Sequence, residues 1–257
     1  MDNTGVLPPK SPLRHFVKRA QRYNHSSGWV DDQVLIKKIR DLAQAGTKAR
    51  LLDVAIGTGK VAQAFFGRAG YVVGIDICPQ MAKQAKKCAD KILLALAEKL
   101  PFADNVFDVC VCRQGLQFME TRAVLSEIHR VLKPGGKLIL CHLTAYDERD
   151  KDQTFLIQKL RNPARKNFFL PQDFRLMLRK QSFKHIESFE YITRESIKRW
   201  INNAAISSKA KEEIKNFYLR APQAFKERHN IYFKDGDIFD SMKMVIVRAR
   251  KEGAVNA

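Results

Sequence analysis

Two glycines and a downstream aspartate are spaced as in proteins that bind an adenosine-containing cofactor. Gly57 and Gly59 follow a short apolar run, residues 51–54, that predicts a buried strand. A second apolar run, residues 71–75, ends at Asp76, seventeen residues after Gly59. A glycine turn after a strand leaves the backbone open to a ligand, and a carboxylate after the next strand can accept hydrogen bonds from ribose hydroxyls. The spacing therefore predicts half of a nucleotide-binding βαβ unit.

Asp53 distinguishes between two cofactors that would suit this arrangement. The pattern Gly57-x-Gly59-x-x-Ala62 also satisfies the dinucleotide fingerprint, and Asp76 lies near the spacing used for NAD. A carboxylate at the end of the first strand would repel a pyrophosphate, whereas it suits the ammonium group of an amino acid. S-adenosylmethionine carries an ammonium and a sulfonium but no phosphate. The charge of Asp53 therefore favours S-adenosylmethionine over NAD.

The elements that must position these residues alternate along the middle of the chain. Apolar runs at residues 92–96, 107–112 and 137–143 predict three more strands, and residues 60–68 and 121–132 predict two of the intervening helices. Strands that alternate with helices indicate an α/β fold with a parallel, doubly wound sheet.

Four further segments make the chain similar to a known family. The most specific is residues 97–108, with the pattern Ala-Glu-x-Leu-Pro-Phe-x-Asp-Asn-x-Phe-Asp, and the other three are residues 16–24, 73–81 and 127–136. With these segments in order and correctly spaced, residues 16–145 resemble the class I S-adenosylmethionine-dependent methyltransferases. The resemblance is strongest to the type 11 group, which includes the ubiquinone and menaquinone C-methyltransferases.

The resemblance implies a Rossmann-like sheet of seven strands, mostly parallel with the last strand antiparallel. The sixth and seventh strands are expected near residues 185–191 and 243–250. Residues 16–257 would form a single methyltransferase domain, preceded by a flexible tail of residues 1–15. In that domain residues 45–145 would bind the cofactor, whereas residues 146–257 would supply the last two strands and helical insertions that form a lid over the acceptor.

The family's cofactor site can be carried over onto matching positions. Asp53 would lie near the methionine ammonium, Asp76 would hold the ribose hydroxyls, and Ile77 would pack on the adenine. Arg113 would meet the methionine carboxylate, although a surface charge at a strand end is the alternative. The family usually has glycine where Ala55 stands. The full expected set is Asp53, Ala55, Gly57, Thr58, Gly59, Asp76, Ile77, Met81, Ala97, Glu98, Arg113 and Gln114.

Methyl transfer from a sulfonium needs an acceptor held in line and water excluded, rather than extensive acid–base chemistry. Tyr23 matches a tyrosine that closes over the cofactor in related enzymes, and half-buried packing is its alternative role. His142 and His25 lie near predicted functional edges and would be candidates for a base, although a solvated histidine is the more common finding. Tyr23 and His142 are therefore the candidate catalytic residues.

The chain is strongly basic, with a net charge of +19. Residues 153–184 carry eight Lys or Arg against a single Asp, interleaved with five phenylalanines. This basic cap is expected to be either an amphipathic lid with solvated charges or a docking surface for an anionic partner, namely tRNA or an acidic carrier protein. Five cysteines without a C-x-x-C pair predict no metal site, and no apolar run is long enough to span a membrane. A cytoplasmic protein is expected, and its oligomeric state is left open.

These observations lead to one main function and two alternatives. The main prediction is a methyltransferase that acts at carbon or oxygen of a small or medium organic acceptor. A tRNA-modifying methyltransferase is the alternative enzyme, and a non-catalytic S-adenosylmethionine-binding scaffold is the alternative from another class. The stretch Arg113-Gln114-Gly115-Leu116 stands where amino-group methyltransferases have Asn-Pro-Pro-Tyr, which argues against methylation of DNA adenine or of a glutamine amide.

Overall fold

The computed structural model describes residues 11–253, and within this range the strands form one sheet. The strand order is β3-β2-β1-β4-β5-β8-β6, and β7 pairs with β8 outside this path. The strands are β1 (Arg50–Val54), β2 (Tyr71–Asp76), β3 (Lys91–Leu94), β4 (Phe107–Arg113), β5 (Leu132–Leu143), β6 (Phe183–Ser196), β7 (Tyr232–Lys234) and β8 (Asp237–Lys251).

The sheet confirms the expected doubly wound α/β fold. Strands β1 to β5 pair in parallel, and β8 runs antiparallel between β5 and β6. The expected number of seven strands is wrong, because the short strand β7 forms a hairpin with β8. Asp235 and Gly236 both have positive φ in the turn of that hairpin. An Asp-Gly pair is a strong hairpin signal, so the sequence held the information that predicts β7.

Helices cover both faces of the sheet. They are α1 (Pro12–Arg19), α2 (Gln33–Ala43), α3 (Pro79–Ala85), α4 (Thr121–Val131), α5 (Lys151–Arg161), α6 (Pro171–Lys180), α7 (Ile197–Ile201), α8 (Ser208–Arg220) and α9 (Gln223–Arg228). In β4, Val109 and Val111 face one hydrophobic cluster while Cys110 and Cys112 face the other. A central strand that is buried on both sides explains its continuous apolar run. None of the helices in the described part of the chain is long and apolar enough to cross a membrane.

The helix predicted at residues 60–68 is replaced by tighter turns around a short 3-10 helix, Ala62–Ala64. The amides of Ala64 and Phe65 donate to carbonyls three residues earlier, while those of Gln63 and Phe66 donate to carbonyls four residues earlier. This mixture of bonds prevents a regular α-helix.

The N-terminal prediction needs a partial correction. Helix α1 begins at Pro12, so residues 12–15 are helical instead of belonging to a tail. Proline is favourable in the first turn of a helix, and Leu13 and Phe16 pack against a cluster that contains Met81. The remainder of the expected tail, residues 1–10, lies outside the described residues. The division of the rest into a cofactor-binding core and insertions remains a prediction.

Candidate active site

A cavity of about 250 Å³ lies at the edge of the sheet where β1, β2 and β4 end. Because these strands are parallel neighbours, the residues that follow them converge on one place. Nine of the twelve residues expected to bind the cofactor line this cavity: Ala55, Gly57, Asp76, Ile77, Met81, Ala97, Glu98, Arg113 and Gln114. Tyr23 lines it as well, whereas Asp53, Thr58, Gly59 and His142 do not.

Asp76 joins the end of β2 to the glycine turn. One carboxylate oxygen accepts from the Gly57 amide at 2.9 Å and the other accepts from the Cys78 amide at 2.8 Å. Burial raises the pKa of the Asp76 carboxyl, and the Cys78 and Gly57 amides oppose that shift. These two bonds fix the carboxylate at the cavity wall, where its remaining lone pairs can accept from ligand hydroxyls.

The two glycines of the turn have different roles. Gly57 has φ +57°, and a Cβ built there would meet nothing closer than 3.9 Å, so its backbone is open to the cavity. Gly59 has φ +83°, but a Cβ there would lie 2.6 Å from the Cys88 Cβ. The expectation that Gly59 keeps space free for a ligand is therefore wrong. It allows the turn to pack closely against the residues that follow α3.

Thr58 also points away from the cavity. Its hydroxyl donates to the Asn24 side chain at 2.6 Å. This bond connects the glycine turn to residues 12–30, which we call the N-terminal segment.

Asp53 lies beneath the cavity rather than in its wall. Asp53 is only 2% exposed, and its Oδ2 atom has no hydrogen-bond partner among the described residues. Burial raises the pKa of Asp53 to about 7, while the charge of Arg113 and the Ala62 amide oppose the shift. This is a buried carboxylate at which a cation would be stabilised.

The residues after β1 and β4 adopt a strained backbone where they line the cavity. Ala55 and Gln114 have φ values of 59° and 56°, in the left-handed region that non-glycine residues rarely occupy. Arg113 donates to the carbonyls of Trp29 and Val30 at 3.1 and 3.0 Å. The Arg113 guanidinium, which is expected to meet the methionine carboxylate, thus also holds the N-terminal segment in place.

The N-terminal segment covers the cavity. Phe16 and Tyr23 line it, and the Phe16 ring contacts the Phe118 ring edge to face at a centroid distance of 5.0 Å. The Gln84 side chain of α3 donates to the Ala20 carbonyl at 2.7 Å. Helix α1 and the following turn are therefore held against both α3 and the residues after β4, as a closing element over this space would require.

The structure places His142, a candidate base near a predicted functional edge, in the core of the protein. The residue is 1% exposed, stacks on Phe174, and lies 3.1 Å through Nδ1 from the Gln117 side-chain oxygen. Burial and the charge of Arg165 lower the pKa of His142 to about 3. A buried imidazole with so low a pKa is a weak proton acceptor, and His142 does not line the cavity. His25, the other histidine considered, is exposed.

A second, smaller cavity of about 30 Å³ adjoins the first and was missed by the sequence reasoning. The two share Phe16, Tyr23, Gln114 and Phe118 as walls. Three buried arginines also line the smaller cavity: Arg19, Arg161 and Arg165. We call this space the arginine chamber.

The basic cap is therefore not uniformly a solvated face. Arg161 and Arg165 are buried, whereas the other six basic residues of the cap are exposed: Lys159, Lys166, Arg175, Arg179, Lys180 and Lys184. Hydrophobic periodicity did not predict the burial of Arg161, because the buried face of α5 also contains the polar residues Thr154 and Gln158. Within the described residues no group of three or more His, Cys, Asp and Glu could hold a metal ion.

Comparisons with known proteins agree with this geometry. Residues 52–140 match the model of a methyltransferase domain. The chain is 32% identical to an uncharacterized protein of Methanocaldococcus jannaschii over 183 residues, which cover 70% of this chain and 86% of the relative. A demethylmenaquinone methyltransferase of Streptomyces avermitilis is 31% identical over 53% of this chain, but the match spans only 62% of that enzyme's own length.

Solved structures share the fold. The YcgJ protein of Bacillus subtilis superposes with a TM-score of 0.78 at 20% identity, covering 85% of this chain and 98% of that protein. A methyltransferase-like protein of Bacillus halodurans gives 0.74 at 24% identity, covering 84% and 98%. These likenesses show the fold, whereas the domain match and the sequence relatives show the family. The chain belongs to the class I S-adenosylmethionine-dependent methyltransferases, in the type 11 group.

Proposed function

We propose that this protein transfers a methyl group from S-adenosylmethionine to carbon or oxygen of a small or medium organic acceptor. The observation that carries the proposal is the pair of adjoining cavities, one walled by the family's cofactor-binding residues and the other reaching beneath the N-terminal segment. The first, of about 250 Å³, would hold the cofactor, and the second, of about 30 Å³, would admit one group of a separate molecule. Shared walls bring the two within reach of each other.

The residues of the larger cavity fit the cofactor. Asp76 would accept from the ribose hydroxyls, and the apolar side chains of Ile77 and Met81 would pack on the adenine. The open backbone at Gly57 would lie against the methionine portion, above the buried charge of Asp53. When bound, S-adenosylmethionine supplies an electrophilic methyl group on a sulfonium that departs as a neutral thioether.

The protein's own contribution would be position and water exclusion. Phe16 and Tyr23 close the space from the N-terminal side, and Phe118 closes it from the segment after β4. Since burial makes His142 a weak base and the residue does not line the cavity, the proposed reaction does not use it to accept a proton. Tyr23 is retained as the proposed catalytic contact because it lines both cavities.

Calorimetry tests the first half of the proposal. S-adenosylhomocysteine should bind and NAD should not, and Asp76→Ala should weaken binding by about tenfold or more because it removes charge-assisted hydrogen bonds. Tight NAD binding without S-adenosylhomocysteine binding would overturn the assignment of the cavity.

Turnover tests the second half. The protein is incubated with methyl-labelled S-adenosylmethionine and a metabolite extract, with and without ribonuclease. Label in a ribonuclease-resistant small molecule supports the proposal. Cofactor binding without any transfer would favour the non-catalytic scaffold.

A tRNA-modifying activity is the second candidate, and it rests on the exposed part of the basic cap. Arg175, Arg179 and Lys184 lie together at the start of β6 and on the face of α6. Binding of tRNA through phosphates would fall steeply with salt because counterions are released. Label lost on ribonuclease treatment, with salt-sensitive tRNA binding, would establish this activity instead.

A further inference from the structure

The arginine chamber holds three positive charges that have no acid partner of their own within residues 11–253. Arg19, Arg161 and Arg165 are only 4%, 7% and 5% exposed. Their hydrogen bonds go to neutral groups: Arg19 to the Ser26 hydroxyl at 2.8 Å, Arg161 to the Trp200 carbonyl at 3.0 Å and the Ser27 hydroxyl at 2.9 Å, and Arg165 to the Asn167 carbonyl at 3.4 Å.

The acid that acts on Arg161 is already engaged elsewhere. Glu195 raises the pKa of Arg161, but its oxygens accept from the Gly28 amide at 2.8 Å and from Arg199 at 2.8 Å. His15, beside Arg19, adds no negative charge. Burial and the neighbouring guanidiniums lower the pKa of His15 to about 2, so it stays neutral. The chamber therefore keeps an excess of positive charge.

The same chamber collects unused hydrogen-bond donors. Among its lining residues, buried side-chain N–H groups without a partner outnumber unpartnered acceptors by five to one. Gln158 Oε1 is the acceptor, and the donors are Arg19 Nε, Trp29 Nε1, Gln114 Nε2, Asn162 Nδ2 and Trp200 Nε1. The Gln114 amide is oriented by Gln117, which donates to its oxygen at 2.8 Å and leaves the NH₂ group free to donate.

Such an arrangement is costly for a protein that binds nothing there. Buried charges are normally paired, and buried donors are normally satisfied, because each unmet group loses its hydration without a replacement. Burial lowers the pKa of all three arginines, that of Arg165 to about 9. Arginine nevertheless keeps its charge in proteins, because its ordinary pKa is far above neutral pH. Positive charge and spare donors in one place match a negatively charged group that accepts several hydrogen bonds.

We propose that the arginine chamber binds a compact oxyanion, a carboxylate or a phosphate, that is part of the methyl acceptor. This inference rests on the proposed methyl transfer and specifies its substrate class as an anionic one. The 30 Å³ of the chamber is about the space of two water molecules, which suits an anionic head group but not a whole acceptor. The rest of the acceptor would extend past Tyr23 and Phe118 into the cofactor cavity.

Binding of small aromatic anions tests the proposal directly, since Phe16, Tyr23 and Phe118 offer aromatic walls. Calorimetry is carried out with the S-adenosylhomocysteine complex and with three probes: benzoate, phenyl phosphate and the neutral isostere benzamide. At least one anion should bind about tenfold or more tightly than benzamide, as expected for charge-assisted bonds. Tighter binding of benzoate would identify the head group as a carboxylate, and tighter binding of phenyl phosphate would identify it as a phosphate. Equal or absent binding of all three, with S-adenosylhomocysteine bound normally, would overturn the proposal but not the methyltransferase function.

Arg165→Met provides a second measurement, on the thermal midpoint of the protein. The hydrogen bond from the Arg165 side chain is long, at 3.4 Å, and methionine can keep the packing on the Phe168 ring. The variant should therefore keep or raise the thermal midpoint of the anion-free protein. A fall of more than about 5 °C would identify Arg165 as a structural group and overturn its assignment to a ligand. Inorganic phosphate should raise the midpoint of the wild type by about 3 °C at tenfold its Kd, and should leave Arg165→Met unaffected.

The matched control is Arg220→Met, an exposed arginine at the end of α8. It removes the same charge without touching the chamber, so anion binding and the phosphate-induced shift should persist. Loss of both in the control would show that the response reflects overall net charge, which contradicts a specific chamber.

Discussion

Two clusters of buried charge in this protein are built in opposite ways. In the arginine chamber three cations make hydrogen bonds only with neutral groups. In the second cluster His229 lies between two carboxylates, 2.9 Å from Asp150 through Nε2 and 2.9 Å from Asp240 through Nδ1. Burial is similar, but only the second cluster supplies its own counter-charges. Paired buried charges stabilise the fold, whereas unpaired buried charges remain available to a ligand.

The histidine cluster links four segments of the chain: the loop after β5, helix α8, the turn after α9 and strand β8. Asp240 of β8 also accepts from the Tyr218 hydroxyl of α8 at 2.6 Å. Asp150 accepts from the Tyr146 and Asp147 amides, which fixes the loop after β5. Since every member is hydrogen-bonded, this cluster joins the insertions to the sheet and leaves nothing for a ligand to satisfy.

The largest expected effect comes from breaking the paired cluster. Asp240→Asn removes one counter-charge and leaves His229 and Tyr218 with an altered partner in a buried site. The free energy of unfolding should fall by about 3–5 kcal/mol, measured by urea denaturation. The control is Asp235→Asn in the exposed hairpin turn, which should cost less than about 0.5 kcal/mol. Similar losses in both variants would mean that the pairing around His229 contributes nothing specific.

The pH dependence of stability should show the same pairing. The two carboxylates raise the pKa of His229 from 6.5 to about 9 against the opposing effect of burial. A raised histidine pKa contributes stability that is complete below pH 6.5 and is lost as the pH rises through about 9. The stability of the wild type should therefore fall by about 3 kcal/mol across this window, and that of Asp240→Asn by much less. Parallel pH profiles would contradict the assignment.

Asp53 sharpens the comparison because it is the reverse of the arginine chamber, a buried anion with an unpartnered oxygen. Its pKa is raised to about 7, chiefly by burial. A bound ammonium favours the ionised carboxylate, so binding must remove a proton below that pKa. The affinity for S-adenosylhomocysteine should weaken about fivefold from pH 7 to pH 6. Asp53→Asn should bind more weakly and without this slope, and a slope that persists would assign the proton to another group.

The smallest expected effect concerns backbone strain in the wall of the larger cavity. We expect this strain, in addition to the unpaired charge, to lower the stability of the protein. Ala55 has φ 59°, where glycine carries no penalty. Ala55→Gly should stabilise the protein by about 0.5–1 kcal/mol, measured by denaturation, and should leave the pH slope of cofactor affinity unchanged. The matched control is Ala64→Gly in the 3-10 turn, which should destabilise. A loss of stability at both positions would exclude strain at Ala55.

The sequence by itself determined the parallel core of the fold and the position of the cofactor cavity. Each of β1, β2 and β4 is a mostly apolar run, interrupted by Asp53 in β1 and by Asp108 in β4, and each is followed directly by residues that line the cavity. Short-range patterns suffice here because parallel strands necessarily end at one edge of the sheet. The glycine turn and Asp76 then lie together without information from distant parts of the chain.

Only the tertiary structure decided which charged side chains are paired, unpaired or solvated. Arg161 contacts Ser27, 134 residues away, and the Trp200 carbonyl, while His229 meets Asp150 across 79 residues. His142, near a predicted functional edge, becomes a neutral core residue because Phe174 covers it. Gly59 serves the packing of Cys88, as only the approach of the segment after α3 reveals. Whether a charge is paired, unpaired or solvated depends on which distant elements pack around it. Local periodicity cannot predict that packing.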